Sequence, residues 1–456
     1  MVREKKHFLI QQSKLSEKAE TVWTLLTQLA CYRRIAPPWL KISHLQSDRK
    51  FTLGATFSFK IGNGLLKGKW VCEVTHLRSG FLIGLRLMSP LGKEWQVWTK
   101  VLPGLTKEEC ILEDRIEYVS SPLTGKSQKK IEQALRGIIY YKHRTLKNDL
   151  TVSKKLGKVT HPRVLIAGGS GFVGSKLRDF LTMSGYEVEV LSTNPESGNL
   201  YWDPAKGLLD PDLLEKRDAI INLCGHPVAC RWNKKNRKRI LESRVNASHL
   251  LLKTITRLDQ PPEVYIQVSG SGYYGYENAR DVTEENLKGS GFLADVCEQW
   301  EAEVRNQADL PTRWVIGRLG AVLSPDGGAL AKMLPVFRMG AGGRLGSGKQ
   351  YFPWISMNDL LYFFRMAIED KSYHGTFNTF APDTPDNRGF TRALASTLRK
   401  SALFPVPGFV LSALYGQMAH EMLLGGVQMI PQNAVNHGFE VFDSSIQEYL
   451  NMTLGK

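Results

Sequence analysis

The chain has 456 residues, more than one hydrophobic core usually organises, so two or three domains are expected. Its 42% hydrophobic content is ordinary for globular protein, and six scattered cysteines without a C-x-x-C pair argue against a disulfide framework or a metal site and fit a reducing cytoplasm. The net charge of +16 lies wholly upstream, since residues 1 to 162 carry 29 Lys and Arg against 13 Asp and Glu, while residues 163 to 456 carry 31 of each. That step marks a domain boundary at residues 151 to 162, where Ser153-Lys154-Lys155-Leu156-Gly157-Lys158 reads as a basic polar linker. A basic domain suits an acidic ligand, anionic lipid or acidic partner, or is a solvated surface; without zinc-finger spacing or a basic-aromatic repeat, nucleic acid is not the expected partner.

The N-terminus, Met-Val-Arg-Glu-Lys-Lys, lacks the apolar core and cleavage site of an export signal. Ala19 to Leu29 has helical spacing. Phe51 to Ile61, Gly68 to Leu77, Gly80 to Met88, Glu94 to Leu102 and Glu109 to Val119 alternate apolar and polar residues between breaks, as strands do. Ile131, Leu135, Ile138, Ile139, Leu146 and Leu150 then recur at helical spacing, which predicts an antiparallel sheet wrapped on a long helix. Trp39, Trp70, Trp95 and Trp98 are either simple core or the lining of a ligand cavity.

Residues 164 to 174 read Val-Leu-Ile-Ala-Gly-Gly-Ser-Gly-Phe-Val-Gly, a strand running into a glycine-spaced turn and then a helical pattern. In that context the turn points to a dinucleotide. Gly168 permits the tight turn, Gly171 lets the backbone approach a pyrophosphate, and Gly174 lets helix and strand pack. Arg163 to Ala167, Glu187 to Leu191, Ala219 to Leu223, Glu263 to Val268 and Arg313 to Gly317 alternate with helical segments, which predicts a doubly wound parallel α/β sheet of the Rossmann kind. The second strand would end in an acid if it gripped the ribose of NAD, but Ser192, Thr193 and Asn194 stand there, which tilts the cofactor modestly to NADP over NAD. The apolar stretch Phe409 to Ile430 is interrupted by Gln417, His420, Glu421 and Gln428 and does not suit a bilayer span.

Two resemblances add to this reading. Ala36-Pro37-Pro38-Trp39, Gly68-Lys69-Trp70, Asp114 to Tyr118 and the closing helix resemble the START-like (SRPBCC) helix-grip superfamily. That resemblance implies an α+β helix-grip domain over residues 1–150 with a cavity for a hydrophobic ligand. Further on, Trp202-Asp203-Pro204, Asp218 to Gly225, Arg231-Trp232, Ser243-Arg244-Val245, Ser269 to Gly275, Arg318 to Gly328, Trp354-Ile355, Leu424 to Gln428 and Gly438-Phe439 occur in order. Together they resemble the atypical extended short-chain dehydrogenase/reductases known as the epimerase family, with that family's C-terminal domain of unknown function. The resemblance implies a cofactor domain at 163–380 and a small α/β C-terminal region at 381–456. It places the pyrophosphate on Gly168, Gly169, Ser170, Gly171, Phe172, Val173 and Gly174, the adenosine ribose by Asn222 and Gly225, and the nicotinamide by Ser269. Arg231, Arg244 and Arg318 are candidates for anionic groups of cofactor or substrate, or for structural salt bridges. A homodimer through a helix pair is open, because the fused domain could cover that surface.

Hydride-transferring members of the wider superfamily use a Tyr acidified by a Lys four residues later. None of the 15 tyrosines here has Lys at that position. Ser269 with Tyr274 is the candidate catalytic pair, with Tyr273, Asp295 and Cys297 as further acids, and Tyr273 is also placed toward the substrate. Two functions therefore stand open. One is an NAD(P)-dependent oxidoreductase or epimerase acting on an unknown small carbonyl or nucleotide-linked substrate; the other is a cofactor-binding sensor or scaffold whose first domain carries a hydrophobic ligand or meets a partner.

Overall fold

A computed structural model describes residues 5–46, 51–90, 93–120, 125–197, 199–307 and 310–456. Met1 to Glu4, where the reading of the N-terminus begins, lie outside the described residues. The chain separates into two compact units, Met1–Gly157 with Asn451–Lys456, and Lys158–Leu450.

The first unit is a seven-stranded antiparallel sheet. Its strands are β1 (Lys5–Leu15), β2 (Ile42–Gln46), β3 (Thr56–Ile61), β4 (Gly68–Arg78), β5 (Leu82–Met88), β6 (Glu94–Pro103) and β7 (Cys110–Ser120), in the order β1-β7-β6-β5-β4-β3-β2. Two short helices, α1 (Ala19–Leu26) and α2 (Leu29–Arg34), connect β1 to β2, and the 32-residue α3 (Gly125–Leu156) follows the sheet. Alternation along the strands puts Leu9, Ile61, Trp70, Trp95, Ile116 and Tyr118 on one face, where they bury against Leu135 and Ile139 of α3. The strand expected from Phe51 begins only at Thr56, because the Ala55 N–H bonds to the Thr52 carbonyl at 3.0 Å and Gly54 at φ +78° turns the chain. Thr151 to Leu156, read as linker, is the end of α3 instead: Leu150 and Val152 are buried, Lys154 and Lys155 complement the helix dipole, and Gly157 at φ +75° terminates it.

The second unit is built on a parallel sheet of β8 (Arg163–Ala167), β9 (Glu187–Ser192), β10 (Leu200–Tyr201), β11 (Ala219–Asn222), β12 (Val264–Gly270), β13 (Arg313–Leu319) and β16 (Gly375–Thr379), while β14 (Ala321–Ser324) and β15 (Trp354–Ser356) form a separate parallel pair. The order β10-β9-β8-β11-β12-β13-β16 is doubly wound, with the strand order reversing between β8 and β11. Both faces are covered, so Val164 to Ala167 and Ala219 to Ile221 are fully buried apolar runs rather than alternating ones. The helices are α4 (Phe172–Met183), α5 (Lys234–Ile255), α6 (Phe292–Arg305), α7 (Gly328–Arg338), α8 (Met357–Glu369) and α9 (Asn387–Leu398). Shorter pieces follow: α10 (Gly408–Tyr415), α11 (Gln417–Ala419), α12 (Gln432–Asn436) and α13 (Ile446–Thr453). Among the described residues no helix is long and apolar enough to cross a membrane, and no group of three His, Cys, Asp or Glu side chains is arranged to hold a metal.

Candidate functional site

The glycine turn stands at the carboxyl end of β8, beside the point where the strand order reverses. Gly168 has φ +80°, and a Cβ there would lie 3.0 Å from the Leu223 carbonyl carbon and 3.2 Å from the Cys224 nitrogen, so the turn runs hard against the segment after β11. A Cβ on Gly174 would sit 2.5 Å from the Gly168 carbonyl oxygen, which is why α4 can start so close to the strand. Gly169 is buried, whereas Ser170 and Gly171 are exposed. No side chain caps the first turn of α4, leaving its N–H groups for an anion. Phe172 turns away from this cradle and lies on Gly327 and Gly328; Val173 is half-buried beside it.

At the end of β9, Ser192 is buried and its hydroxyl accepts from the Asn194 N–H at 3.1 Å, while Thr193 is exposed. No carboxylate stands on these three residues. Beyond β11, Gly225 lies under a guanidinium: its Cβ would come within 2.9 Å of Arg244 Cζ and Nη2. Arg244 donates from Nη1 to the His226 and Ile240 carbonyls at 3.0 and 2.9 Å and lies over the Trp300 ring at 5.1 Å. No carboxylate pairs with it among the described residues, and burial lowers its pKa below the ordinary guanidinium range. A half-buried cation with Nε and Nη2 still available, beside a glycine turn and an uncapped helix, suits a phosphate or pyrophosphate.

Asn222 was expected beside the ribose, but its side chain is fully buried and turned into the core. Its amide donates to Ser248 Oγ and the Tyr265 hydroxyl, both at 3.0 Å, and its carbonyl takes the Cys224 N–H at 3.1 Å, so the group serves to shape the strand end. Arg231 is exposed at the surface.

Of the expected catalytic and substrate residues, Ser269, Tyr273, Tyr274 and Arg318 come together, in a closed network. Ser269 donates to Glu301 at 2.6 Å, and Arg318 grips the same carboxylate with Nε at 3.0 Å and Nη2 at 2.7 Å. Arg318 Nη1 donates to the Tyr274 hydroxyl at 2.7 Å, and that hydroxyl donates to Asn378 Oδ1 at 2.7 Å. Tyr273 is stacked under Arg318, with 3.4 Å from guanidinium carbon to ring centroid. Glu301 and Asn378 are wholly buried, Arg318 is 2% exposed and Ser269 5%. Arg318 is therefore a buried ion-pair residue and not a free anion binder. The Ser269 hydroxyl is committed to a carboxylate. Burial pushes the Tyr274 phenol up to about 12 against the pull of Arg318, so it stays protonated at neutral pH. The further acids are also quiet: burial raises Cys297 to about 11, and Asp295 pairs with Lys288 at 2.5 Å.

Three partners in this region lay outside the sequence reading. Glu301 carried a readable signal, since Ala294, Cys297, Glu301 and Val304 are spaced as the inner face of α6 and an acid there needs a buried cation. Glu284 accepts the Asn378 and Asn433 N–H groups at 2.7 and 3.2 Å through Oε1, and burial raises its pKa; nothing local to its loop announces that. Glu421 reaches back to cap α6, accepting the Phe292 and Leu293 N–H groups at 2.9 Å each.

A doubly wound sheet with this turn and this unpaired cation at its switch point defines a dinucleotide-binding α/β protein. Residues 164–379 match the model of the NAD dependent epimerase/dehydratase family, and residues 406–450 match a domain of unknown function, DUF1731. The human epimerase family protein SDR39U1 is 36% identical over 282 residues, covering 61% of this chain and 94% of that protein. The chain belongs to this epimerase family. Two solved structures are similar: a nucleoside-diphosphate sugar epimerase from Corynebacterium glutamicum, with TM-score 0.79 and 25% identity over 98% of this chain and 90% of the other, and human SDR39U1 with NADPH, with TM-score 0.58 and 35% identity over 64% and 99%.

Proposed function

We propose that the second unit binds NADP(H) in preference to NAD(H), with Gly168 to Gly174 and the first turn of α4 on the pyrophosphate and Arg244 as the cation beside it. The observation that carries the proposal is the Arg244 guanidinium, half-buried without a carboxylate against Gly225, on the segment after β11 that the Gly168 turn packs against. The absence of a carboxylate on Ser192, Thr193 and Asn194 supports a 2'-phosphate, as does the NADPH in the human relative's structure. A bound nicotinamide would supply hydride chemistry; the residues of this chain would hold it and exclude water. Titration of intact protein with NADPH and NADH, followed by reduced-cofactor fluorescence, tests the proposal. The expected result is tighter binding of NADPH, lost in Arg244→Met. No fluorescence change with either cofactor overturns it.

We further propose that the first unit is a START-like helix-grip domain carrying an apolar ligand, and that the protein couples that ligand to the cofactor state as a sensor or scaffold. The antiparallel sheet closed over α3 supports the first part, and the commitment of the Ser269 and Tyr274 hydroxyls to Glu301 and Asn378 supports the second. Oxidoreduction or epimerisation of a small carbonyl or nucleotide-linked substrate is the competing reading, favoured by the family itself. Turnover of an identified substrate that falls 100-fold or more in Ser269→Ala with Tyr274→Phe, at unchanged cofactor affinity, would decide for it.

A further inference from the structure

The first unit contains a partly open cavity of about 220 Å³. Phe59, Trp70, Trp95, Ile116, Leu135 and Ile139 are among the residues of its largely apolar wall, but one end is polar and carries Thr99, Asp114 and Lys142. Those three groups are tied together. Lys142 Nζ donates to Asp114 Oδ1 at 2.8 Å and to Thr99 Oγ1 at 3.1 Å, Thr99 donates to Asp114 Oδ1 at 2.5 Å, and a His143 ring nitrogen lies 2.9 Å from Asp114 Oδ2. Both carboxylate oxygens are thus engaged. An ammonium has three donors, and two of Lys142's are used. The third is left for a ligand; Tyr32, with a hydroxyl of its own, also lines the cavity.

Size and charge narrow what enters. Benzene, with six carbons, occupies an apolar cavity of ~150 Å³, which by proportion gives about nine non-hydrogen atoms for this one. The ion pair of Lys142 with Asp114 is neutral as a whole, and among the described residues no second Lys or Arg lines the cavity. A carboxylate entering would lose its hydration and face Asp114, whereas a neutral oxygen would cost far less to bury and would still satisfy the remaining N–H.

We infer that the cavity takes a neutral amphiphile of roughly eight to twelve non-hydrogen atoms, a medium-chain or monocyclic ketone, alcohol or ester, whose oxygen accepts from Lys142. This rests on the reading of the first unit as a ligand carrier and deepens it. The volume matches compounds smaller than sterols and long-chain lipids, and the charge balance disfavours free fatty acids.

The test is calorimetric titration of the intact protein with octan-2-one, octanoate, toluene and progesterone. Octan-2-one and toluene bind, octanoate binds at least tenfold more weakly than octan-2-one, and progesterone, a neutral ketone too large for the space, gives no heat. Lys142→Met weakens octan-2-one roughly tenfold, as for one lost hydrogen bond, and leaves toluene unchanged. Leu135→Trp, which fills the cavity, abolishes both. The comparison among ligands on the unaltered protein stands even if a variant fails to fold. Octanoate binding as tightly as octan-2-one, or a heat of binding with progesterone, overturns the inference and leaves the carrier reading in place; silence from toluene and octan-2-one alike overturns both.

Discussion

Replacing Glu301 by Gln tests whether the network around Arg318 is structural or ligand-binding. The carboxylate accepts three hydrogen bonds, two from Arg318 and one from Ser269, at 0% exposure, and Arg305 Nη1 lies a further 3.5 Å away. Gln keeps the shape but removes the charge and turns one acceptor into a donor facing the guanidinium. A cation is then left buried without its counter-charge, beside the Tyr274 hydroxyl and the Tyr273 ring, and stranding one member of a buried pair costs about 3–5 kcal/mol. Arg318→Met should cost less, because Arg305 and Ser269 remain on the carboxylate. The double variant Glu301→Leu with Arg318→Met should recover part of the loss, with a coupling above roughly 1 kcal/mol. Guanidinium denaturation gives the stabilities, and at ~2–4 °C per kcal/mol Glu301→Gln should lower Tm by roughly 6–20 °C. NADPH affinity, measured in parallel, should move less than about threefold in Arg318→Met, since Arg318 reaches no open surface. If instead Arg318→Met keeps its stability within ~0.5 kcal/mol while cofactor or substrate affinity collapses, Arg318 is a ligand-binding cation and the reasoning fails.

Gly174→Ala places a Cβ 2.5 Å from the Gly168 carbonyl oxygen, so the turn must shift, and NADPH affinity should fall at least roughly tenfold with far-ultraviolet circular dichroism unchanged. Arg244→Met should weaken NADPH binding while leaving the ligand-free protein as stable or slightly more so, because a buried cation without a carboxylate is removed; a large loss of stability would mark the residue as structural. Burial and the neighbouring Asp443 raise Asp359 to about 7, so its folded form holds a proton that the unfolded form releases near pH 4. Its contribution is therefore present below pH 4 and lost as pH rises from about 4 to 7, and Asp359→Asn should flatten that slope in denaturation curves of the second unit. Asp114 runs the other way: against burial, Lys142 and His143 hold it below the usual carboxylate range, so the first unit should weaken as pH drops below its ordinary value of 3.8, and Lys142→Met should remove much of that acid sensitivity.

The parts of this molecule that could be read in advance share one property: their physics is local. A strand followed by glycines and a helical period fits within 20 residues, and the structure sets Gly168, Gly171 and Gly174 in that turn. The alternating runs Gly68 to Leu77 and Glu94 to Leu102 became β4 and β6 for the same reason, each face needing only its own residues. Asn222 was misplaced because an amide at a strand end looks the same whether it faces a ribose or the core, and only Ser248 on α5 and Tyr265 on β12 decide between them. Arg318, on β13, was ambiguous until Glu301, on α6, claimed it.

Long sequence separation accounts for the rest. Asn451–Lys456 complete the first unit, with a Cβ on Gly455 only 2.7 Å from Trp39 and φ +66° there, although more than 400 residues lie between the two. Glycine is needed at 455 because of an indole that no local pattern connects to it. The same holds for Glu421, which caps a helix 128 residues upstream at Leu293. That helix start is filled by a carboxylate from far along the chain, a contact that no local pattern announces. Arg244, by contrast, is a half-buried cation whose Nε and Nη2 meet no hydrogen-bond acceptor among the described residues, and that makes it the group to test first for a role on an anionic ligand.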